Sequence, residues 1–297
     1  MFSGFWALQI FAAKLAFNAG VEVLSFQLLS YSAVLIILAV VLLGQVGGQL
    51  FDLFRNQGSL FWQLFGANSI QAGLGTFLSM IGIAMTAAIN AGFLVKLTTV
   101  TTILFAWIIL NERMTPLKLA TVFIMIFGAY LLTTKGQVLL PRSGDLFILG
   151  ACFCWSLGSV LIRRILKSQP VNPDVVTMQK PIAGLLILMI LVGAIAIYAE
   201  LSGNQAGVFH CCTFSPFYLP YAAVMGICLA GAWFYLNRTL KVATASYMTL
   251  MSMVTPVLVG ILALFFLGET LVWAQIIGAS LIILSGAAIS FSDIAVS

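Results

Sequence analysis

Apolar runs of about twenty residues follow one another from end to end of this chain, and nothing else in it limits the fold so strongly. A helix crosses the hydrocarbon core of a bilayer in about 20 residues. Backbone groups in hydrocarbon must be satisfied within the chain, so runs of this length are read as helices. Barrel strands would be about half as long and would alternate in polarity. Composition agrees: 62% of residues are hydrophobic and 7% charged, where a soluble domain carries about a quarter charged residues. Lipid must be the main solvent.

Breaks at charge, Gly, Asn or Pro predict ten spans, over residues 2–18, 23–43, 61–83, 87–110, 116–134, 145–166, 174–199, 216–236, 243–267 and 271–291. The predicted fold class is therefore all-α integral membrane. The opening MFSGFWALQIFAAKLAF has no basic leading segment and no small-residue cleavage site. It reads as a first span with almost no flank, a truncated or minimal start, rather than a signal peptide. The net charge of +5 needs no nucleic-acid partner, because the basic residues sit in short connections where orientation signals belong.

With the N-terminus in the cytoplasm, the inner connections carry Arg55, Arg113, Lys118, Arg163, Arg164, Lys167, Arg238 and Lys241. The outer ones carry Lys135 and Arg142, with Lys14 near an outer span end. Eight against three predicts a multi-pass protein of the cell (inner) membrane with both termini cytoplasmic.

An internal repeat organises the chain further. Leu94 to Arg113 aligns with Met251 to Thr270 at one constant offset, matching Thr98 with Thr255, Val100 with Val257, Ala106 with Ala263, Leu110 with Leu267 and Glu112 with Glu269. Earlier in each half, EVLSFQ from Glu22 is similar to DVVTMQ from Asp174. Five spans per half is an odd number, so the copies face opposite ways. The expected organisation is a first five-helix repeat over 1–134, a linker over 135–144 and a second, inverted repeat over 145–297. Inverted repeats are common in secondary transporters, where exchanging the conformations of equivalent halves gives alternating access.

The chain here resembles the drug/metabolite transporter superfamily, in its EamA-type branch. The resemblance covers nearly the whole sequence. It rests most on Thr255-Pro256, then Leu267-Gly268-Glu269, then a short final helix with Gly278 and Gly286. In the first half Thr99 stands where the pattern has proline and Asn111 where it has glycine, while Glu112 is kept. The resemblance implies ten helices, cytoplasmic termini, and a central cavity lined mainly by the first, third, fourth, sixth, eighth and ninth. It implies no particular substrate, since relatives carry amino acids, nucleotide sugars, cations and other metabolites.

Lys96 is the sharpest candidate for chemistry. It falls nine residues into the fourth span, about 14 Å from its start at 1.5 Å per residue. A charge near the bilayer centre costs about 3 kcal/mol on translocon scales, and no acidic residue is placed at similar depth. Lys96 is therefore expected to meet an anionic substrate group, with a coupling proton as a candidate partner. Its polar neighbours by pattern are Thr99 on the same span, Asn68 and Gln71 on the third, and Tyr247 and Ser252 on the ninth. Trp155, Trp233 and Tyr235 are aromatic residues that could line a cavity, and of these Trp155 is taken into the site. Lys96, its polar neighbours and Trp155, seven residues in all, form the expected substrate site. Pro256 is the expected hinge, because proline removes a helical hydrogen bond. Lys180 is expected to snorkel from near a span end, and Glu112 and Glu269 to orient the short turns into the last helix of each half.

The leading functional reading is a carrier of a small organic metabolite, anionic or zwitterionic. The alternatives are a multidrug or cation exporter, or a non-transporting membrane protein. Related small multidrug pumps use a buried Glu in their first helix, and no acidic residue occurs here through Phe17. An intramembrane enzyme needs a nucleophile with a base, or metal ligands, and the single histidine, His210, falls in an external connection beside Cys211 and Cys212. No catalytic residue, metal or cofactor is expected. Five cysteines form no framework.

Overall fold

The computed structural model describes residues 1–21, 23–86, 93–112, 115–138, 140, 142–202, 215–267 and 272–294. Among them every regular element is helical. The order is α1 (Phe2–Asn18), α2 (Val23–Asn56), α3 (Gly58–Asn68), a π turn (Ser69–Leu74), α4 (Gly75–Met85), a 3-10 turn (Val95–Leu97) leading into α5 (Thr98–Leu110), and α6 (Pro116–Thr134). There follow α7 (Gly144–Ser168), α8 (Pro173–Ser202), a 3-10 turn (Pro216–Tyr218) leading into α9 (Leu219–Val242), α10 (Ala245–Ser252), α11 (Thr255–Leu267) and α12 (Trp273–Ile294). Among the described residues six helical stretches are long and apolar enough to cross a bilayer, and the protein is multi-pass.

Local chemistry sets several boundaries. Thr115 caps α6, accepting from the Lys118 N–H at 3.3 Å, with Pro116 at the first helical position where its missing N–H does no harm. Thr244 caps α10 in the same way, accepting from the Tyr247 N–H at 3.1 Å. Asn111, standing where the family pattern has glycine, ends α5 at φ 52° and ψ 34°. Asparagine tolerates this left-handed conformation better than most residues with a side chain. The substitution therefore keeps the turn.

Two spans differ from the sequence expectation. The second was expected to end at residue 43 before Gly44, Gly47 and Gly48, yet α2 runs 34 residues, about 51 Å at 1.5 Å per residue. Glycine weakens a helix by only about 1 kcal/mol per residue. Val46 and Leu53, buried beyond the expected end, hold the extension against the core. The ninth span, expected as one helix, breaks at Met253 and Val254 between α10 and α11.

The two largest of four hydrophobic clusters among the described residues form the cores. The larger joins α2, α3, α7, α8 and α9, with Val34, Leu64, Ile162, Val176 and Leu240 among its buried side chains. The smaller joins α5, α6, α10, α11 and α12 around Ile103, Met125, Leu250, Val257 and Ile282. Helix pairing is regular. α1 lies on α9, α4 on α7, α2 on α8, α5 on α10 and α6 on α12.

Candidate functional site

In α8, Thr177, Gln179 and Lys180 are all buried within a largely apolar helix, and Lys180 has no exposed surface. This corrects the expectation that Lys180 snorkels. Reaching headgroups requires a side chain on the lipid-facing side, and Lys180 instead faces inward, its Nζ 5.6 Å from the centre of the Trp233 ring on α9. Trp233 in turn meets Tyr31 of α2 edge-on at 5.3 Å. One turn beyond Lys180, Gly184 lets α8 approach closely: a Cβ there would lie 2.7 Å from the Tyr31 ring and 3.0 Å from Ala72. Tyr31 donates to the Ala72 carbonyl at 2.9 Å and shares a hydrogen bond with Thr76 at 2.9 Å.

The helix facing this group changes its winding. Between α3 and α4, Ser69–Leu74 forms a π turn, a feature frequent at functional sites and invisible in periodicity. It carries Gln71, with Asn68 immediately before it. Asn68 donates to Gln179 Oε1 at 3.1 Å, and Gln71 donates to Ser159 Oγ and to the Trp155 carbonyl. Gly158 admits this contact, since a Cβ there would meet the Ala67 carbonyl at 2.8 Å and the Gln71 side chain closer still. Gly75 leaves room for the Trp155 ring. Asn237 of α9 donates to Thr177 Oγ1 at 2.9 Å. Five helical segments thus meet at one buried polar cluster.

Of the seven residues chosen from sequence, Asn68, Gln71 and Trp155 come together there. Thr99 is buried on α5, whose neighbours Thr101 and Thr102 bond to Ser156, next to Trp155. Lys96 lies half-buried in the 3-10 turn before α5, near Cys152, whose thiol points at the Leu94 carbonyl at 3.4 Å. Among the described residues no carboxylate forms an ion pair with either Lys96 or Lys180. Tyr247 packs in the smaller core, and the Ser252 hydroxyl is spent on its own helix, donating to the Thr249 carbonyl at 2.5 Å. The break at Met253 and Val254 falls just before Pro256, where the expected hinge lies. His210, Cys211, Cys212 and Glu269 lie outside the described residues. Sequence reasoning left Tyr31, Lys180, Trp233 and Asn237 out of the site. The one available signal was several polar residues within two turns of each other on α8.

Glu112 also reaches across the bundle. Its carboxylate accepts from the backbone N–H of Ala245 and Ser246 at 3.0 and 3.2 Å, and from the Ser246 hydroxyl at 2.6 Å. It caps α10, while residues 113 and 114, in the turn into α6, lie outside the described residues. A carboxylate at a helix N-terminus meets both unpaired N–H groups and the positive end of the dipole. Glu112→Ala is expected to lower stability by about 1–2 kcal/mol and Glu112→Gln by less. Thermal melting of the purified variants in one detergent checks the order. Equal melting of all three proteins would remove the cap from the account.

At the same end of the bundle, Arg163 of α7 donates to the carbonyls of Leu240 and Lys241 at 2.6 and 2.7 Å. Lys241 of α9 returns the arrangement, donating to the Leu166 carbonyl at 2.7 Å. Each helix carries the cation that satisfies the other's C-terminal carbonyls. Arg238 adds a two-pronged ion pair with Asp174 of α8, at 3.0 and 2.8 Å.

Known proteins bear on this arrangement. A protein of Bacillus subtilis (strain 168), described as the uncharacterized transporter YyaM, is 28% identical over 213 residues, which are 70% of this chain and 66% of that protein. A protein crystal structure 19% identical to this chain has the same fold, with a TM-score of 0.68 over 97% of this chain and 95% of its own. The EamA-like transporter family matches residues 1–134 and 142–291, and the chain accordingly belongs to that family.

Proposed function

We propose that the protein is a secondary transporter that carries a small organic metabolite, anionic or zwitterionic, across the cell membrane by alternating access. The observation that carries this reading is the buried polar cluster that includes Lys180, a basic side chain with no carboxylate paired to it among the described residues, set among apolar helices. Ionisable groups inside membranes are expensive to keep and mark substrate or ion paths. An anionic group on the solute offsets that cost. Family membership supports the transport part of the reading.

Alternating access rests on two inverted five-helix halves, 1–134 and 145–297, joined by 135–144. The pairing of helices supports this organisation. Counting spans, the first on the eighth corresponds to the sixth on the third, and the second–seventh, fourth–ninth and fifth–tenth pairs correspond to themselves. A two-fold axis in the membrane plane produces such a pattern. The distribution of basic residues supports cytoplasmic termini.

Uptake and counterflow into proteoliposomes test the proposal, using labelled small carboxylates and, as the competing case, a cationic dye. Saturable flux of a carboxylate is the expected result. Flux of the dye with none of any carboxylate would replace this reading with cation export. Lys96 stays in the proposal as a second cation on the path. Lys96→Ala is expected to reduce carboxylate flux, and unchanged flux would remove it from the mechanism.

A further inference from the structure

Four side-chain amides in the cluster that includes Lys180 are oriented by the partners they meet. The Phe61 carbonyl takes the Gln179 NH2 at 3.2 Å, which turns Gln179 Oε1 toward Asn68 and makes the Asn68 NH2 the donor between them. The Trp155 carbonyl takes the Gln71 NH2 at 3.4 Å. Thr177 gives its hydroxyl hydrogen to the Pro173 carbonyl at 3.0 Å, so toward Asn237 it accepts, and the Asn237 NH2 must face it. Amide nitrogen and oxygen are normally hard to tell apart. Here connectivity to backbone carbonyls decides each one.

In three of the four the nitrogen is committed to the frame and the oxygen is left over; Gln179 Oε1 accepts from Asn68. Asn68 Oδ1, Gln71 Oε1 and Asn237 Oδ1 are buried without a donor among the described residues. Lys180 Nζ, in the same region, is buried without an acceptor among the described residues. Other orphaned atoms belong to Ser69 in the adjoining π turn, and to Gln9 and Thr255 on α1 and α11. Thr177 and Lys180 share a face of α8, three residues apart. Trp233 and Asn237 share a face of α9, four apart, and Trp233 carries the lysine amine on its ring. The cluster therefore offers one cation and three neutral acceptors.

Resting on the transport reading above, we infer that the substrate is a small carboxylate that also carries hydrogen-bond donors, a hydroxy- or amino-substituted acid. Its carboxylate meets Lys180 Nζ and its O–H or N–H groups meet the amide oxygens of Asn68, Gln71 and Asn237. A carboxylate without donors leaves those oxygens desolvated and unpaired, and sites built to bond such a group reject analogues that lack it. A quaternary or hydrophobic cation repels Lys180 and offers nothing to the oxygens.

Two matched series test this: propionate, lactate and alanine, and their phenyl-substituted counterparts 3-phenylpropionate, phenyllactate and phenylalanine. Each is scored for thermal stabilisation of the purified protein and for counterflow in proteoliposomes. In at least one series, a donor-bearing member is expected to bind about tenfold or more tightly than its donor-free member. Asn237→Leu, which keeps the Thr177 to Pro173 bond, is expected to shrink that ratio. Equal binding within both series overturns the inference while carboxylate flux preserves the transport reading, the oxygens then being hydrated. Dye flux with no carboxylate flux, or no flux of any probe, overturns both. An Asn237→Leu protein that elutes as a single peak and keeps the full ratio also overturns the assignment of that oxygen.

Discussion

Lys180→Met is expected to reduce anionic-solute flux by about a hundredfold, the worth of two to three kcal/mol of charge-assisted hydrogen bonding. The ligand-free protein should be at least as stable as the parent. These two outcomes rarely occur together, because most buried substitutions lose stability. They coincide here because, among the described residues, Lys180 Nζ has no acceptor, so methionine removes a desolvated, unpartnered amine and keeps much of the apolar stem. Replacing unpaired buried charge by an apolar side chain of similar volume is often neutral or stabilising. Melting of the two proteins without ligand, alongside counterflow at matched protein density, separates the cases. A Lys180→Met protein that melts lower and transports normally would make Lys180 a packing residue and take the anion with it.

Gly278→Val is expected to have the largest effect on assembly. The backbones of α6 and α12 touch through facing glycines: a Cβ on Gly128 would lie 2.8 Å from the Gly278 carbonyl oxygen, and one on Gly278 would lie 2.8 Å from the Leu132 nitrogen. Backbone atoms cannot swing aside as a side chain can, so the helices must separate along their length. Overpacking costs about 1–3 kcal/mol in well-packed interiors, and small residues at helix crossings are what allow close approach in lipid. The measurement is the yield and melting temperature of the detergent-extracted variant. Gly260→Val, at a glycine with open space around it, is the control expected to change little. Equal yields for the two variants would mean that the α6–α12 contact is loose.

Sequence alone reached the helical class readily, because runs that long leave the backbone one way to satisfy itself in lipid. It reached Asn68, Gln71 and Trp155 for a related reason, as polar or large groups standing out against apolar surroundings. Lys180 was misjudged because depth along a helix was used in place of direction. α8 is apolar nearly all round, so its sequence marks no inward side, and only the seating of its neighbours decides where a side chain points. The π turn at Ser69–Leu74 escaped for another reason: one extra residue per turn leaves no trace in an apolar window. Glu112 was recognised as important from its place in the repeat. Its partner lies more than a hundred residues away, at Ala245 and Ser246, a distance no local pattern encodes.

The reciprocal ties between Arg163 and Lys241 have a practical side. Both cations were counted among the basic residues that orient the chain, yet both also hold neighbouring helix ends together. Topology mapping that neutralises them would confuse misinsertion with loosened packing. Arg55, Arg164 and Lys167, whose side chains are exposed, are the positions at which insertion polarity can be manipulated while the bundle keeps its grip.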